Sequence, residues 1–268
     1  MRDRSSRKAS VGLWATLGGL VLACALFGWR SPASGEDTQA LLDKVIAAHG
    51  GMEAWVALKD LSFRLTLVAL TPQGEVTGAR ASLYRLKRHG KGRVETVTGD
   101  GLLIEGYDGE RPWATLNGRH LTEPDALKRA HFQAVNWWYW MGIPFKMRDP
   151  GVILRQKEPA TFQGKPVHVL EVTYALEGPT DRFTYHVDPE TYHIVLVETE
   201  LKPGVWPGVG GSGPGWSTWQ EYRTAGPFVM HTKRTVYANR QLTERRAIVF
   251  FGDFKFNTGL PDSLFRAP

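Results

Sequence analysis

Two hydrophobic rhythms divide the chain. From Asp37 apolar residues recur at helical spacing, Leu41, Leu42, Val45 and Ile46 falling on one face before His49-Gly50-Gly51 ends the run. Gly50 suits the left-handed position that commonly follows a helix. A short second turn over 52–58 puts Met52 and Trp55 together, and His49 is placed to lend partial positive charge to the helix end. Beyond Asp60 the period becomes two. Leu61, Phe63, Leu65 and Leu67 alternate with Ser62, Arg64 and Thr66, the mark of a half-buried antiparallel strand.

Further alternating or apolar runs cover 81–87, 94–98, 102–107, 165–174, 182–188, 193–201, 216–223, 228–238 and 242–251. Between them stand Gln73-Gly74, Asp100-Gly101, Asp108-Gly109 and Asn117-Gly118, pairs suited to tight hairpin turns, and Asp188-Pro-Glu-Thr191 predicts another. No strand–helix–strand alternation appears. The pattern predicts about ten or eleven strands in one large antiparallel sheet.

Two segments break the meander. Thr122-Glu-Pro-Asp125 reads as a helix start, with Thr122 as cap, and Gly142 with Pro144 as its stop. The second half of this helix, with Phe132, Val135, Trp137, Trp138, Tyr139, Trp140 and Met141, is apolar nearly all round and must be covered on several sides. A curved sheet under such a helix encloses either a solid core or an apolar cavity. The other interruption is the Gly/Pro-rich stretch 203–215, a loop with Trp206 as an apolar tip and Trp216 and Trp219 beside it. Gly208, Gly210 and Gly213 match a dinucleotide fingerprint in spelling only, because Pro214 follows and no helix opens there.

Composition changes this picture mainly at the N-terminus. The 268 residues carry 33 Lys+Arg against 27 Asp+Glu, a formal charge of +6. Residues 1–33 hold five of the bases (Arg2, Arg4, Arg7, Lys8, Arg30) and one acid (Asp3), leaving 28 bases and 26 acids for the remainder. The basicity belongs to a targeting segment, and nucleic acid is not an expected partner. Arg2, Arg4, Arg7 and Lys8 precede an uncharged run over 11–29, and Arg30 and the small residues Ser31 to Gly35 follow it, an export signal with a cleavage site after Ala33. The run is also long enough to remain as a membrane anchor. Domain boundaries follow: 1–35 signal peptide or anchor, and 36–268 a single domain. The one cysteine, Cys24, lies in the apolar run, where Val21-Leu-Ala-Cys24 loosely resembles a lipidation site. The expected location is the periplasm, with inner-membrane anchoring through 11–29 if the segment is retained.

Candidate chemistry is sparse. Ser212 lies in no nucleophile elbow, since Pro214 occupies the final glycine position, and no zinc-protease, nucleotide-loop or EF-hand motif occurs. His168, His186 and His193 fall on neighbouring strands without diagnostic spacing, and Glu198 and Glu200 read as a solvated face. No catalytic residue, metal site or cofactor is expected.

The order of pieces resembles the LolA/LolB/LppX-like, lipoprotein-sorting family. Ala48-His-Gly-Gly51 with Trp55 is similar to its opening, Tyr107-Asp-Gly-Glu-Arg-Pro-Trp113 to one hairpin, and Phe183-Thr-Tyr-His-Val-Asp-Pro-Glu-Thr-Tyr192 to another. Phe254-Lys-Phe-Asn257 and Leu260-Pro-Asp-Ser-Leu-Phe265 resemble its closing pattern. The resemblance implies a mainly β fold: an unclosed β-barrel covered by a helical lid, binding lipid or lipoprotein acyl chains and doing no catalysis. The residues then expected against the chains are Leu65, Leu67, Phe132, Val135, Trp137, Trp138, Trp140, Met141 and Phe145. Arg64 is a candidate for the family's lid-locking arginine. A second reading on the same fold is a protein-interaction module of the cell envelope, with Trp206, Trp216 and Trp219 as contacts.

Overall fold

A computed structural model of the chain describes residues 35–88, 90–175, 180–202 and 214–268. The expected targeting segment with Cys24, and the loop 203–213 with Trp206, lie outside the described residues. The region 33–268 forms one compact unit, and among the described residues no helix is long and apolar enough to cross a membrane.

The described residues form one antiparallel sheet of thirteen strands with three α-helices. Helices α1 (Gly35–Ala48) and α2 (Met52–Ala57) come first. Strands β1 (Asp60–Leu70), β2 (Val76–Lys87), β3 (Lys91–Thr98), β4 (Gly101–Tyr107), β5 (Pro112–Leu116) and β6 (Arg119–Leu121) form a meander. Helix α3 (Pro124–Met141) follows, with a 3-10 turn at Phe145–Arg148. A second meander runs through β7 (Val152–Phe162), β8 (Lys165–Tyr174), β9 (Arg182–Val187), β10 (Ile194–Glu200), β11 (Gly215–Ala225), β12 (Phe228–Tyr237) and β13 (Arg245–Phe256). The meanders join where β1 pairs with β13, which leaves β6 and β7 as unpaired edges. Those edges flank α3 in the chain, so the connection from one edge to the other is itself the lid.

Three strands exceed the sequence expectation: β5, β6 and β7. β6 is only three residues long, and β7 is an exposed edge whose alternation is broken at Pro159, between Lys157 and Ala160. Charge and proline protect such an edge from pairing with other chains, and they also hide it from a search for apolar periodicity.

Turn chemistry also departs from expectation. Asn117 and Gly118 both have positive φ (51° and 79°), the conformation that the Asn-Gly pair favours. Asp108 does not. Its carboxylate instead accepts the backbone N–H groups of Glu110 (2.8 Å) and Arg111 (2.7 Å), a local turn that leaves only Gly109 left-handed. Asp188 accepts from Glu190 and Thr191 in the same way. At α3 the cap position is Glu123, not Thr122, and no side chain bonds there; Pro124 opens the helix, where an amide N–H would have no partner.

One end of the barrel is solid. Leu42, Val45, Phe63, Leu58 and Phe228 are fully buried there, Trp55 stacks on Phe145 at 5.1 Å, and Trp138 packs on Trp55 at 5.3 Å. Gly50, at φ 114°, lies so near β12 that a Cβ would stand 2.3 Å from the Pro227 carbonyl. His49 is interior rather than an exposed positive cap. Its Nδ1 donates to the Val45 carbonyl (2.7 Å), its ring meets His193 and Tyr222, and burial lowers its pKa to about 4. Desolvation outweighs the helix dipole at this position.

The closing motif is a latch. Asp60 accepts Thr258 N (2.8 Å), Thr258 Oγ1 (2.9 Å) and Gly259 N (3.0 Å), while Lys87 and Lys91 both pair with Asp262. Trp113 donates its indole N–H to the Phe265 carbonyl at 2.7 Å, so two of the motifs meet directly.

Candidate functional site

The other end of the barrel is hollow. A cavity of about 630 Å³ lies between α3 and the concave side of the sheet, lined by residues of β1, β2, α3 and β8 through β12. Small-ligand sites typically occupy roughly 300–1,000 Å³. Leu65 and Leu67 form part of its wall from β1; Phe132, Val135, Trp137 and Trp140 descend from α3; Phe183, Leu201, Trp216 and Val236 come from the far arm.

The second half of α3 is apolar nearly all round, and its four consecutive aromatics meet several walls. Trp137 packs against Phe63, Tyr84 and Phe251 with centroids 5.6–6.2 Å apart. Trp138 turns to Trp55, Tyr139 to Phe183 (5.5 Å), and Trp140 to Phe183 (5.6 Å) and Trp219 (6.2 Å). Ala126, Ala130 and Ala134 let the first half of the helix approach the sheet closely: a Cβ on Gly92 would stand 2.7 Å from Ala134 Cβ.

Few polar contacts fasten α3. Tyr84 donates to Gln133 Oε1 (2.9 Å) and Arg129 pairs with Glu105 (2.7 Å) on one arm. On the other arm the Tyr139 hydroxyl lies 2.6 Å from that of Tyr174 and 3.3 Å from that of Tyr185. Burial pushes all four of these tyrosines up from their ordinary pKa, so the hydroxyls stay neutral and the ties are uncharged.

The expected site residues separate into two groups. Leu65, Leu67, Phe132, Val135, Trp137 and Trp140 share the cavity wall. Trp138, Met141 and Phe145 are not part of it: Trp138 and Phe145 pack on Trp55 of α2, and Met141 is buried in the core. Among the expected contact residues, Trp216 lies at the cavity with its N–H directed to Glu198 (3.2 Å). Trp219 is 2% exposed and stacks on His231 at 4.0 Å, so it is an interior residue rather than a surface contact. Glu198 is more than a solvated face, since it also accepts from His186 Nε2 (2.8 Å), a bond that holds its pKa down. Arg64 locks nothing on the lid; it is exposed and paired with Asp253 across β13. The three strand histidines go to separate neighbours, His168 to Tyr192, His186 to Glu198 and His193 to Tyr222. Among the described residues no group of three His, Cys, Asp or Glu could hold a metal ion.

Sequence reasoning missed Arg234. In β12 it shares the two-residue phase of Met230 and Val236, which points a charged side chain inward. It is 6% exposed, lines the cavity, and lies 4.6 Å from the Trp219 ring and 4.8 Å from that of Trp140. Burial lowers its pKa to about 9, which still leaves it charged at neutral pH. Tyr84, Tyr139, Tyr174 and Phe183 were missed as lining too; each reads in sequence as ordinary strand or helix filling.

Residues 125–256 match a protein family of unknown function (DUF6503). No curated protein sequence matches the chain. Among solved structures, a LolA superfamily protein from Nitrosomonas europaea aligns with TM-score 0.55 and 12% identity over 85% of this chain and 97% of its own. A domain from Vibrio parahaemolyticus named for outer membrane lipoprotein sorting aligns at 0.50 and 14% identity, covering 87% and 97%. A DUF1329 family protein from Desulfovibrio piger aligns at 0.51 and 13%, covering 85% and 97%. At these identities the likeness is one of architecture: the chain has the LolA-like fold, an unclosed antiparallel barrel with a helical lid.

Proposed function

We propose that this is an exported, non-catalytic carrier that holds an acyl chain in the cavity beneath α3. Residues 36–268 are the carrier domain, and 1–35 deliver it to the periplasm or tether it to the inner membrane through 11–29. The observation that carries this reading is a cavity of about 630 Å³ walled chiefly by apolar and aromatic side chains. An acyl chain laid against apolar walls gains dispersion contacts, and each buried CH₂ contributes about 0.8 kcal/mol. The name of the Vibrio parahaemolyticus domain, lipoprotein sorting, supports the same class of cargo. The few neutral ties on α3 suit a lid that opens at modest cost, which a carrier must do to release its load.

Native mass spectrometry and lipid extraction of protein purified from membranes test this directly. A bound lipid, or capture of a fluorescent fatty acid by the stripped protein, is the expected result. A protein that carries nothing and ignores every chain offered would overturn it. The protein-interaction reading has less support, because Trp219 is interior and Trp216 is directed to the cavity wall.

A further inference from the structure

The cavity wall carries a cation that has no counter-ion among the described residues. Arg234 has five N–H donors, yet among the described residues its hydrogen-bond contact is a long one from Nη2 to His231 Nε2 (3.3 Å), and its Nε has no partner there. That imidazole cannot neutralise it, since burial and the arginine's own charge hold the His231 pKa well below 6.5. No carboxylate among the described residues pairs with Arg234. The acid that lines the same cavity, Asp181, accepts instead from the Lys202 backbone N–H (2.6 Å). What surrounds the guanidinium is aromatic: Trp219 and Trp140 within 5 Å, and Trp137 and Phe251 at 5.7 Å.

Ring faces attract a cation but offer no oxygen to its N–H groups. A buried charge is ordinarily paired. The missing partner here is an oxyanion, which a guanidinium can bind through two parallel hydrogen bonds. It must arrive with apolar material, because the cavity that holds Arg234 is walled chiefly by apolar and aromatic side chains, Leu65, Leu67, Val236 and the α3 aromatics among them, with Arg80 as a second cation in the same lining.

We propose that the cavity selects an amphiphile with an anionic oxygen head, and that Arg234 is the residue that binds that head while the tail lies along Leu65, Leu67 and α3. This rests on the lipid-binding reading and narrows it to acids: a fatty-acid-like carboxylate or a lipid phosphate rather than a neutral lipid.

The test offers one chain with different heads to stripped full-length protein: dodecanoate, dodecyl phosphate and dodecanol, with inorganic phosphate as the tail-free control. Quenching of the tryptophans around Arg234 and calorimetry both report binding. At least one of the two anions should bind about tenfold tighter than the alcohol, and which one identifies carboxylate or phosphate as the source. Inorganic phosphate should not compete, and competition would overturn the requirement for a tail. Arg234→Gln should abolish the preference by weakening the anion and not the alcohol, Arg234→Lys should keep part of it, and Arg64→Gln should leave it intact. Equal binding of alcohol and anions by the unaltered protein, or a preference that survives Arg234→Gln, would overturn the assignment while leaving lipid binding standing. Failure of all three chains to bind would sink the carrier reading itself. If Arg234→Gln does not fold, the head-group preference of the unaltered protein still decides.

Discussion

The two ends of the barrel use the same materials for opposite purposes. Along α3, Trp138 and Met141 help fill the core, whereas Trp137 and Trp140 line the cavity. Along β12, Phe228 is buried beneath Gly50 at the solid end, and Arg234 and Val236 line the hollow one. The difference lies in what stands opposite. At the solid end the helical preface supplies Leu42, Val45 and Trp55 as a second layer; at the hollow end no helix other than α3 lines the space among the described residues. Stability and binding should therefore be separable by position along a single element.

The largest expected effect breaks the solid end. Phe228 is 2% exposed and packs on Phe145 at 5.7 Å and Phe256 at 5.0 Å. Phe228→Ala should cost about 3–5 kcal/mol, read as a fall in urea midpoint with unchanged slope. Trp140→Ala, at a partly exposed ring facing the cavity, should cost nearer 1 kcal/mol yet remove most lipid binding. If both variants lose stability equally, the two ends are one cooperative core and the distinction fails.

The second effect is the acid sensitivity of the buried histidines, foremost His49 at the solid end. His49, with folded pKa about 4 against 6.5 unfolded, binds its proton more readily when the chain is unfolded. Stability is therefore fully present above pH 6.5 and is lost as pH falls from 6.5 towards 4, by about 3 kcal/mol for this group. His193 and His231 are shifted in the same direction, the first mainly by burial and the second by burial with the Arg234 charge. Denaturant unfolding at pH 7 and pH 5 should show the loss, and His49→Asn should flatten it. An unchanged slope in that variant would mean that His49 is not the group that titrates.

Much of the fold was legible because it rests on short-range rules. The alternation of Leu61, Phe63 and Leu65 marks β1, Gly50 marks the end of the helical preface, and Asn117-Gly118 marks a hairpin. Most of the family-like motif residues prove to be structural: Trp113, Asp188, Asn257 and Asp262 fasten hairpins and the C-terminal latch and take no part in the cavity lining, whereas Phe183 of the same motifs lines it. That is why they announce the architecture and say little about cargo. The cavity itself was half legible. Its α3 wall betrays itself by an apolar excess that a helix on one surface would not need, but Trp137 and Trp138 look alike in sequence and only the sheet opposite tells them apart. Arg234 was hidden for a different reason, since a charged residue in an alternating strand is ordinarily solvated, and only the three-dimensional closure of aromatics around it reveals the exception.

The smallest effect sharpens the comparison most, because two chemically identical changes should part ways. The Tyr139 hydroxyl joins α3 to β8 and β9 through Tyr174 and Tyr185, while the Tyr222 hydroxyl donates to the Ile194 carbonyl (2.7 Å) beside His49 at the solid end. Each Tyr→Phe change deletes one oxygen from an interior hydrogen bond and should cost about 1 kcal/mol of stability. Only Tyr139→Phe loosens a tie between lid and sheet. Release of a bound fluorescent fatty acid to vesicles, followed by stopped flow, should accelerate roughly fivefold in Tyr139→Phe, the kinetic equivalent of about 1 kcal/mol, and remain unchanged in Tyr222→Phe. Equal acceleration in both would mean that cargo leaves by general loosening of the barrel. No acceleration in either would mean that α3 does not move when cargo leaves, and that the exit lies along the unpaired edges β6 and β7 instead.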